Sequence, residues 1–488
     1  MKKVGIAGIV ASLIVIIGLG TYVNYYNTDV KPFMVKGTDL VMYSEKDSEL
    51  EKEFEDIVEK TEKLNMEILG EELLERYMEF NENSKYIERT FLIHTEQDFK
   101  KIKKLEDLDI FFGVNAGKYY LPAFMKLSES FDKTESENYV LKKELQKDVI
   151  DIILKSGEVN EKSVIDRTLI EDTKVYMIPF KSYFIFAFSE EKLKDYLEKV
   201  KSGEKSKRIS EEYEEVKKEN KNILIVDLEK NVNVYLEKFY NGYVEKLDFF
   251  EASSNYNYQT EEIEMNANLK GKGKIFELLD SSQINERNLE KYIDANRLYF
   301  SNNSFQNIAL FILEEMKKKQ GTDINMFAKM FLGKNIDEIV NSLGDEIVIA
   351  FDNNSVNGVI NLRDKKMITD IFEKLGLQGE NGEYDIKKDY KLLLKEKVVF
   401  LNKELEERKE KIELPKDTFL YLEFDFGKIF KMAGMAGMVD LENLEELKNM
   451  RYKLIGNSSG QGVNIKIKLE KDVILDIMDM SLKNINKK

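Results

Sequence analysis

The amino-acid sequence predicts an α+β protein with an N-terminal transmembrane helix followed by two related halves, each an antiparallel sheet covered by helices. Three observations lead to this prediction. Residues 4–23 are an uncharged, largely apolar run, strands with alternating apolar residues recur, and the strand–helix order of residues 222–279 returns in residues 417–481. We therefore expect a cytoplasmic stub and anchor over residues 1–26, a first half over 37–285 and a second over 295–488.

The N-terminal run is long enough to cross a bilayer as a helix. About 20 apolar residues span a hydrocarbon core of about 30 Å, and residues 4–23 carry no charge. A cleaved signal peptide has a shorter apolar core and a small-x-small cleavage site, for which Gly18-Leu19-Gly20 is the one candidate. Because positive residues stay inside, Lys2 and Lys3 predict a cytoplasmic N-terminus. We expect an uncleaved single-pass signal anchor and an extracytoplasmic bulk, in a periplasm or on a cell surface.

Composition argues against some classes of partner. The net charge is -16 and 34% of residues are charged, with Lys and Glu interspersed. Nucleic acids and anionic membrane surfaces both attract basic protein surfaces, so we expect neither of them as a partner of the charged surface. The chain holds no Cys and one His, which leaves little material for a transition-metal site.

The predicted halves follow one order of elements. Each opens with a strand and a helix, and later has two paired strands. Leu108–Val114 of the first half corresponds in place to Glu346–Phe351 of the second. Each half then ends in a strand, a helix, a hairpin and a closing helix. The predicted helices are 47–64, 190–200, 234–240 and 275–279 in the first half, and 305–317, 336–343, 427–438, 441–447 and 473–482 in the second.

One stretch of the second half carries a resemblance. The helix at 305–317 is followed by Asp323-Ile-Asn-Met-Phe, a second helix, and the step Leu343-Gly344-Asp345-Glu346 before an apolar strand. This order resembles a group of bacterial membrane-anchored extracytoplasmic proteins that have no assigned activity. The resemblance implies location and fold, but no site residues, and Gly344 is expected to end the helix.

Motifs for catalysis are weak in this chain. Gly456-Asn457-Ser458-Ser459-Gly460 matches Gly-x-Ser-x-Gly, but the residues after it alternate as a strand instead of forming the required helix. We therefore expect a flexible hairpin loop there. The single histidine, His94, is expected at the end of a strand. The sequence thus favours no catalytic residue.

Metal and nucleotide motifs are equally weak. Residues 352–363 begin like a calcium-binding loop, but the glycine and the last ligand fall at the wrong positions. We expect a hairpin turn between Ile347–Phe351 and Val359–Leu362 instead. Phosphate-binding glycine patterns do not occur in the sequence. We predict no metal ligands and no cofactor.

Two stretches are candidates for binding. Met432, Met435 and Met438 recur every third residue among Ala and Gly, a pattern that either lines an apolar pocket for a lipid or packs tightly in a core. Tyr256 and Tyr258 lie in a Tyr/Asn-rich hairpin, which is typical of adaptable binding surfaces and equally of an exposed strand.

The resulting functional expectation is a membrane-anchored extracytoplasmic protein, not an enzyme, that acts as an envelope interaction or scaffold module. Its expected partners are the membrane, through the N-terminal helix, and an envelope protein. One alternative is a lipid or hydrophobic-ligand binding protein that uses the Met432–Met438 helix. Another is an envelope-polymer hydrolase that uses an Asp/Glu pair.

Overall fold

The protein is predominantly antiparallel β. The computed structural model describes residues 30–473 except 47–85, 98–100, 148–172, 219, 230–243, 281–286, 302–304, 321–323, 353–354, 378, 388–389, 409–411, 413, 426–450 and 460. Twenty β-strands and eight α-helices lie in these residues. The described residues divide into two compact units: unit 1 contains those within 30–227 and 250–260, and unit 2 contains those within 228–249 and 261–473.

Unit 1 contains an antiparallel sheet of order β8–β1–β2–β3–β7–β6–β5–β4. The strands are β1 (Thr38–Glu45), β2 (Arg89–Thr95), β3 (Ile110–Asn115), β4 (Phe131–Lys133), β5 (Tyr139–Leu141), β6 (Tyr176–Phe180), β7 (Tyr183–Ala187) and β8 (Asn222–Asp227). The helices are α1 (Tyr120–Glu129), α2 (Glu190–Ser202) and α3 (Lys207–Lys217).

Local signals in the sequence fix the ends of α2. The Ser189 hydroxyl accepts the backbone N–H of Lys192 at the start, and Gly203 takes a left-handed conformation, φ 76°, at the end. Leu193, Tyr196, Leu197 and Val200 form its buried stripe. Tyr196 stacks on Phe111 of β3 with ring centroids 3.8 Å apart. Apolar spacing and end caps therefore agree at α2.

Unit 2 contains an antiparallel sheet of order β10–β20–β19–β18–β11–β12–β13–β17–β16–β15–β14. The strands are β10 (Glu262–Lys272), β11 (Arg297–Ser301), β12 (Leu343–Asp352), β13 (Ser355–Leu362), β14 (Gly379–Glu380), β15 (Glu383–Lys387), β16 (Tyr390–Leu394), β17 (Val398–Leu401), β18 (Thr418–Asp425), β19 (Arg451–Ser459) and β20 (Gly462–Glu470). Strand β9 (Lys246–Asn257) contributes residues to both units.

The helices of unit 2 connect its strands. They are α4 (Lys274–Leu279), α5 (Phe305–Gln320), α6 (Ile324–Leu332), α7 (Ile336–Asn341) and α8 (Lys365–Lys374). Helices α5, α6 and α7 lie between β11 and β12 in the chain, and α8 follows β13. The core of this unit contains Tyr292, Tyr299, Val348, Phe400 and Tyr421.

The two units share one strand topology. The pairing β8–β1–β2–β3–β7–β6 in unit 1 has the same chain order as β18–β11–β12–β13–β17–β16 in unit 2. In this alignment β3 corresponds to β13 and β2 to β12. The expected correspondence of Leu108–Val114 with Glu346–Phe351 is therefore wrong by one strand. It places β3 opposite β12, whereas the strand of unit 1 that corresponds to β12 is β2, which precedes β3 in the chain. The predicted boundary between residues 285 and 295 stays a prediction.

The predicted fold class, α+β with helices covering an antiparallel sheet in each half, is wrong. Strands dominate the described residues, and four of them, β4, β5, β14 and β15, were not anticipated. These strands have two to five residues. A strand this short gives too few residues for an alternating pattern, so its pairing depends on its neighbours.

Several individual helices and one hairpin were predicted correctly, although the fold class was not. The helices expected over residues 190–200, 275–279 and 305–317 are present, and the 336–343 helix ends earlier, at Asn341. The hairpin expected after Ile347–Phe351 is confirmed, because Asp352 of β12 pairs with Ser355 of β13. The helices expected over 47–64, 234–240, 427–438 and 441–447, and nearly all of 473–482, lie outside the described residues.

The predicted anchor over residues 4–23 also lies outside the described residues. Within the part of the chain that the structure describes, no helix has the length and apolar character needed to span a membrane.

Candidate functional site

The single histidine pairs with an aspartate in unit 1. His94, at the end of β2 as expected, has its Nδ1 2.5 Å from Oδ1 of Asp39 on β1. The side chains are 8% and 13% exposed. The pair couples two neighbouring strands within the core.

A charged cluster lies at the opposite end of the same two strands. The Glu45 carboxylate of β1 lies 3.7 Å from Nε of Arg89 on β2 and 3.4 Å from Nζ of Lys217 on α3. Tyr43 donates its hydroxyl to Glu45. Burial, then Tyr213 and Glu45, raise the pKa of Tyr43 far above its ordinary value, so its hydroxyl remains a donor. The carboxylate is thus enclosed by donors.

A second buried carboxylate, Glu346, lies in unit 2 at the start of β12. Its side chain points to the same face as the buried Val348 and Ala350. The backbone N–H groups of Asn288 and Leu289 donate to its two oxygens at 2.7 and 3.1 Å. The Tyr299 hydroxyl donates at 3.0 Å and the Asn361 amide at 3.3 Å. Four donors therefore converge on one carboxyl group.

The electrostatics of Glu346 follow from its burial. Loss of water raises the pKa of the Glu346 carboxyl group, and the N–H donors of Asn288 and Leu289 and the Tyr299 hydroxyl offset part of that rise. Burial and the neighbouring carboxylate likewise raise the pKa of Tyr299. The group holds residues 288–289 against β12, which is a structural role.

Gly344 has a different role from the one expected. It lies inside β12 instead of ending a helix. A Cβ at this position would lie 2.1 Å from Oδ1 of Asn361, the atom that accepts the Glu346 backbone N–H at 2.8 Å. Glycine is therefore needed so that the Asn361 side chain can reach Glu346. The sequence Leu343-Gly344-Asp345-Glu346 thus places a hydrogen-bonded carboxyl group in the core of unit 2.

The Gly-x-Ser-x-Gly motif is not a nucleophile elbow. Ser458 lies within β19, is 2% exposed, and donates its hydroxyl to the backbone oxygen of Leu279. The expected flexible loop is wrong in position, because β19 continues to Ser459 and the turn follows it. Among the described residues, no group of three or more His, Cys, Asp or Glu side chains is arranged to hold a metal ion.

The surface of unit 2 offers a stronger candidate on α6. Met326, Phe327, Met330 and Phe331 are 54%, 44%, 63% and 65% exposed. With 3.6 residues per turn, these four positions fall within an arc of about 140°. The rings of Phe327 and Phe331 stack with centroids 6.1 Å apart. These four side chains are called the α6 face below.

Unit 1 has a smaller apolar surface on α1. Leu121 and Met125, one turn apart, are 66% and 63% exposed. The opposite side of α1 is anchored, because Tyr120 stacks on Phe184 of β7 at 5.0 Å and Ala123 is buried. Leu121 and Met125 are called the α1 face. Each unit therefore presents an apolar helix surface to solvent.

The α6 face was not predicted from the sequence, although the sequence contains a signal for it. Seven of the nine residues of α6 are apolar and Lys329 is its one charged residue, in a chain that is 34% charged. A helix that is apolar nearly all round is either buried or a docking surface. Sequence alone does not separate these two cases, and the exposure of Met330 and Phe331 does.

The residues predicted for binding are only partly described. Met432, Met435 and Met438 lie outside the described residues. Tyr256 is half-buried in β9 and Tyr258 is exposed just after it. Their ring centroids are 5.1 Å apart in an edge-to-face arrangement. A binding role for the two tyrosines stays a prediction.

Comparisons with known proteins add little. The chain matches no family model, and it matches no curated protein. A solved structure described as "Structure of crystal form IV of TP0453" is similar over 50% of this chain and 81% of its own, at 13% identity and a TM-score of 0.27.

Proposed function

We propose that this protein is a non-enzymatic interaction module, anchored in a membrane by residues 4–23 and exposed on the extracytoplasmic side. The observation that carries the proposal is the α6 face, four large apolar side chains held outward by a packed helix. Contiguous exposed apolar surface of this kind marks interaction sites in soluble domains. The α1 face extends the same argument to unit 1.

The buried carboxylates support the same proposal. Glu45 and Glu346 both accept several donors from their own unit. A general acid or base must reach a substrate proton within hydrogen-bond distance. Neither carboxylate is presented to a substrate in this way, so the hydrolase alternative gains no support from them.

Cysteine protection tests the proposal directly, because the chain has no cysteine of its own. Met125→Cys and Met330→Cys place one thiol on the α1 face and one on the α6 face. Asp385→Cys is the matched control, since the Asp385 side chain is 75% exposed and lies on β15 of unit 2. A membrane-impermeant maleimide is applied to intact cells and to the purified full chain.

We expect the control thiol to react fully in both samples, which also tests the extracytoplasmic location. The α6 thiol, and the α1 thiol if its face is also covered, should react several-fold more slowly in cells than in the purified chain. Equal rates for both faces in the two samples would refute an interaction role for them. A control thiol that reacts only after the cytoplasmic membrane is broken would refute the proposed topology.

A further inference from the structure

The α6 face lies on a helix whose other side is fixed to unit 2. Ala328 is buried, and Leu332 packs on the cluster formed by Ile368, Ile371 and Phe372 of α8. The helix is therefore held in place while Phe327, Met330 and Phe331 point outward. A partner can therefore cover the outer side of α6 without a change in the conformation of the helix.

The charge of α6 and its C-terminal end differs in sign from the net charge of the chain. Lys329 is its one charged residue, Lys334 follows it, and Nζ of Lys374 donates to the Leu332 backbone oxygen at 2.7 Å at its end. Asp323 directly precedes α6 in the sequence, and Asp337 and Glu338 come later, in the first turn of α7. In a chain of net charge -16, α6 with its immediate end is an apolar surface with basic residues.

This combination fits a phospholipid surface better than a second copy of the chain. Aromatic and Met side chains with adjacent lysines suit the boundary between headgroups and acyl chains, and lysine stems are long enough to carry the ammonium group to the phosphates. A two-fold contact between copies through this face would instead bring Lys329 of one copy towards Lys329 of the other.

The proposed N-terminal anchor holds the protein at a membrane. A protein tethered to a bilayer meets it at a high effective concentration, so a weak interfacial affinity is sufficient. We infer that α6 lies in the headgroup–acyl boundary of the membrane that holds the anchor, with Phe327, Met330 and Phe331 among the acyl chains and Lys329 at the phosphates. This inference rests on the proposed function and names the occupant of the α6 face.

Spin labels on the full chain in pure lipid vesicles test the inference. Met330→Cys and the control Asp385→Cys each carry one nitroxide, and the vesicles contain phosphatidylethanolamine with a minority of phosphatidylglycerol. Collision with a water-soluble nickel chelate and with oxygen, which prefers lipid, reports depth. We expect the nickel accessibility at position 330 to be several-fold lower than at 385, and the oxygen accessibility to be higher.

A second substitution checks that the α6 face causes the shielding. Adding Phe331→Glu to the Met330 label should return the nickel accessibility to the control level. Adding Ile386→Glu, at an apolar residue of β15 that is 40% exposed, should not. Both changes are at exposed positions, so loss of folding does not explain a difference between them.

The remaining outcomes overturn the inference. A label at 330 as accessible to nickel as the label at 385 excludes lipid contact. Dipolar broadening between labels at 330 identifies a second copy as the occupant. Shielding in cells without shielding in vesicles identifies a protein partner and leaves the proposed function standing. Extraction of the full chain by carbonate refutes the anchor, and it is measured separately from the label.

Discussion

Replacing Glu346 by leucine should loosen the core of unit 2 at a defined place. Leucine has a similar size but accepts no hydrogen bond, so the N–H groups of Asn288 and Leu289 lose their acceptors. Each buried donor left without a partner costs about 1–3 kcal/mol. Tyr299 and Asn361 can reorient their donors, whereas backbone groups cannot. The two fixed donors together set a cost of about 2–6 kcal/mol.

Part of this cost is offset, because the substitution also removes a buried carboxyl group whose pKa is raised by loss of water. We expect a net loss of about 2 kcal/mol, which corresponds to a change of about 30-fold in the opening equilibrium. Hydrogen exchange of the peptide that contains residues 287–293 measures this opening locally. Its amides should exchange about 30-fold faster in Glu346→Leu than in the wild type.

Two comparisons make the result specific. Glu383→Leu, at a side chain 57% exposed on β15, should change exchange in that peptide little, because surface substitutions usually stay within about 0.5 kcal/mol. The peptide of β8 in unit 1 should exchange at the wild-type rate in both variants. If Glu346→Leu leaves the 287–293 peptide as protected as the wild type, the four-donor account of Glu346 is wrong.

The raised pKa of Glu346 gives the same site a pH signature. The folded state then binds the proton more tightly than the unfolded state, whose carboxyl pKa is about 4.5. The contribution of Glu346 to stability is therefore full below 4.5 and decreases as pH rises through the folded pKa. Relative to Glu346→Gln, the wild type should lose stability between pH 4.5 and the folded pKa. A difference that stays constant with pH would contradict the direction of the shift.

Two further substitutions test other contacts. Gly344→Ala should destabilise unit 2 by about 1–3 kcal/mol, since its Cβ would lie 2.1 Å from Asn361, whereas Gly358→Ala meets its neighbour at 3.3 Å and should cost less in denaturant unfolding. Glu45→Gln should destabilise unit 1 by about 1–3 kcal/mol, because it removes the negative charge that lies 3.7 Å from Arg89 and 3.4 Å from Lys217. An unchanged melting temperature would show that the charge of Glu45 does not stabilise unit 1.

Strands with regularly spaced apolar residues were predictable from the sequence. The alternation Val463, Ile465, Ile467, Leu469 predicted a half-buried strand; β20 covers these residues, but Ile465 is 37% exposed. The strand expected to open residues 222–279 is present as β8, and its Ile223 and Ile225 are buried. In both cases apolar residues in a fixed period indicated the strand. Helix α2 was predictable for the same reason, with its apolar stripe.

The remaining features depend on partners that are distant in the chain. The short strand β15 pairs with β16, and β14 pairs with β15; no local sequence pattern encodes these pairings. The role of Gly344 depends on Asn361, seventeen residues away on the next strand. The α6 face required knowledge of which side of an apolar helix is packed. Sequence patterns report the burial preference of each residue, but not what covers it.

The shared topology supports a structural role for Glu45 and Glu346. Tyr43 pairs with Phe91 across β1–β2, and Tyr299 pairs with Val348 across β11–β12, at the same register. Two residues further along, Glu45 faces Arg89 and Ser301 faces Glu346. Each unit thus places a tyrosine and a carboxylate at one point of its first strand pair, with the carboxylate on opposite strands. A catalytic group needs one fixed position relative to its substrate, whereas a buried tyrosine needs only an acceptor within reach. Packing allows the carboxylate to lie on the first strand of the pair in one unit and on the second strand in the other. The functions of the two units are therefore to be sought on their surfaces.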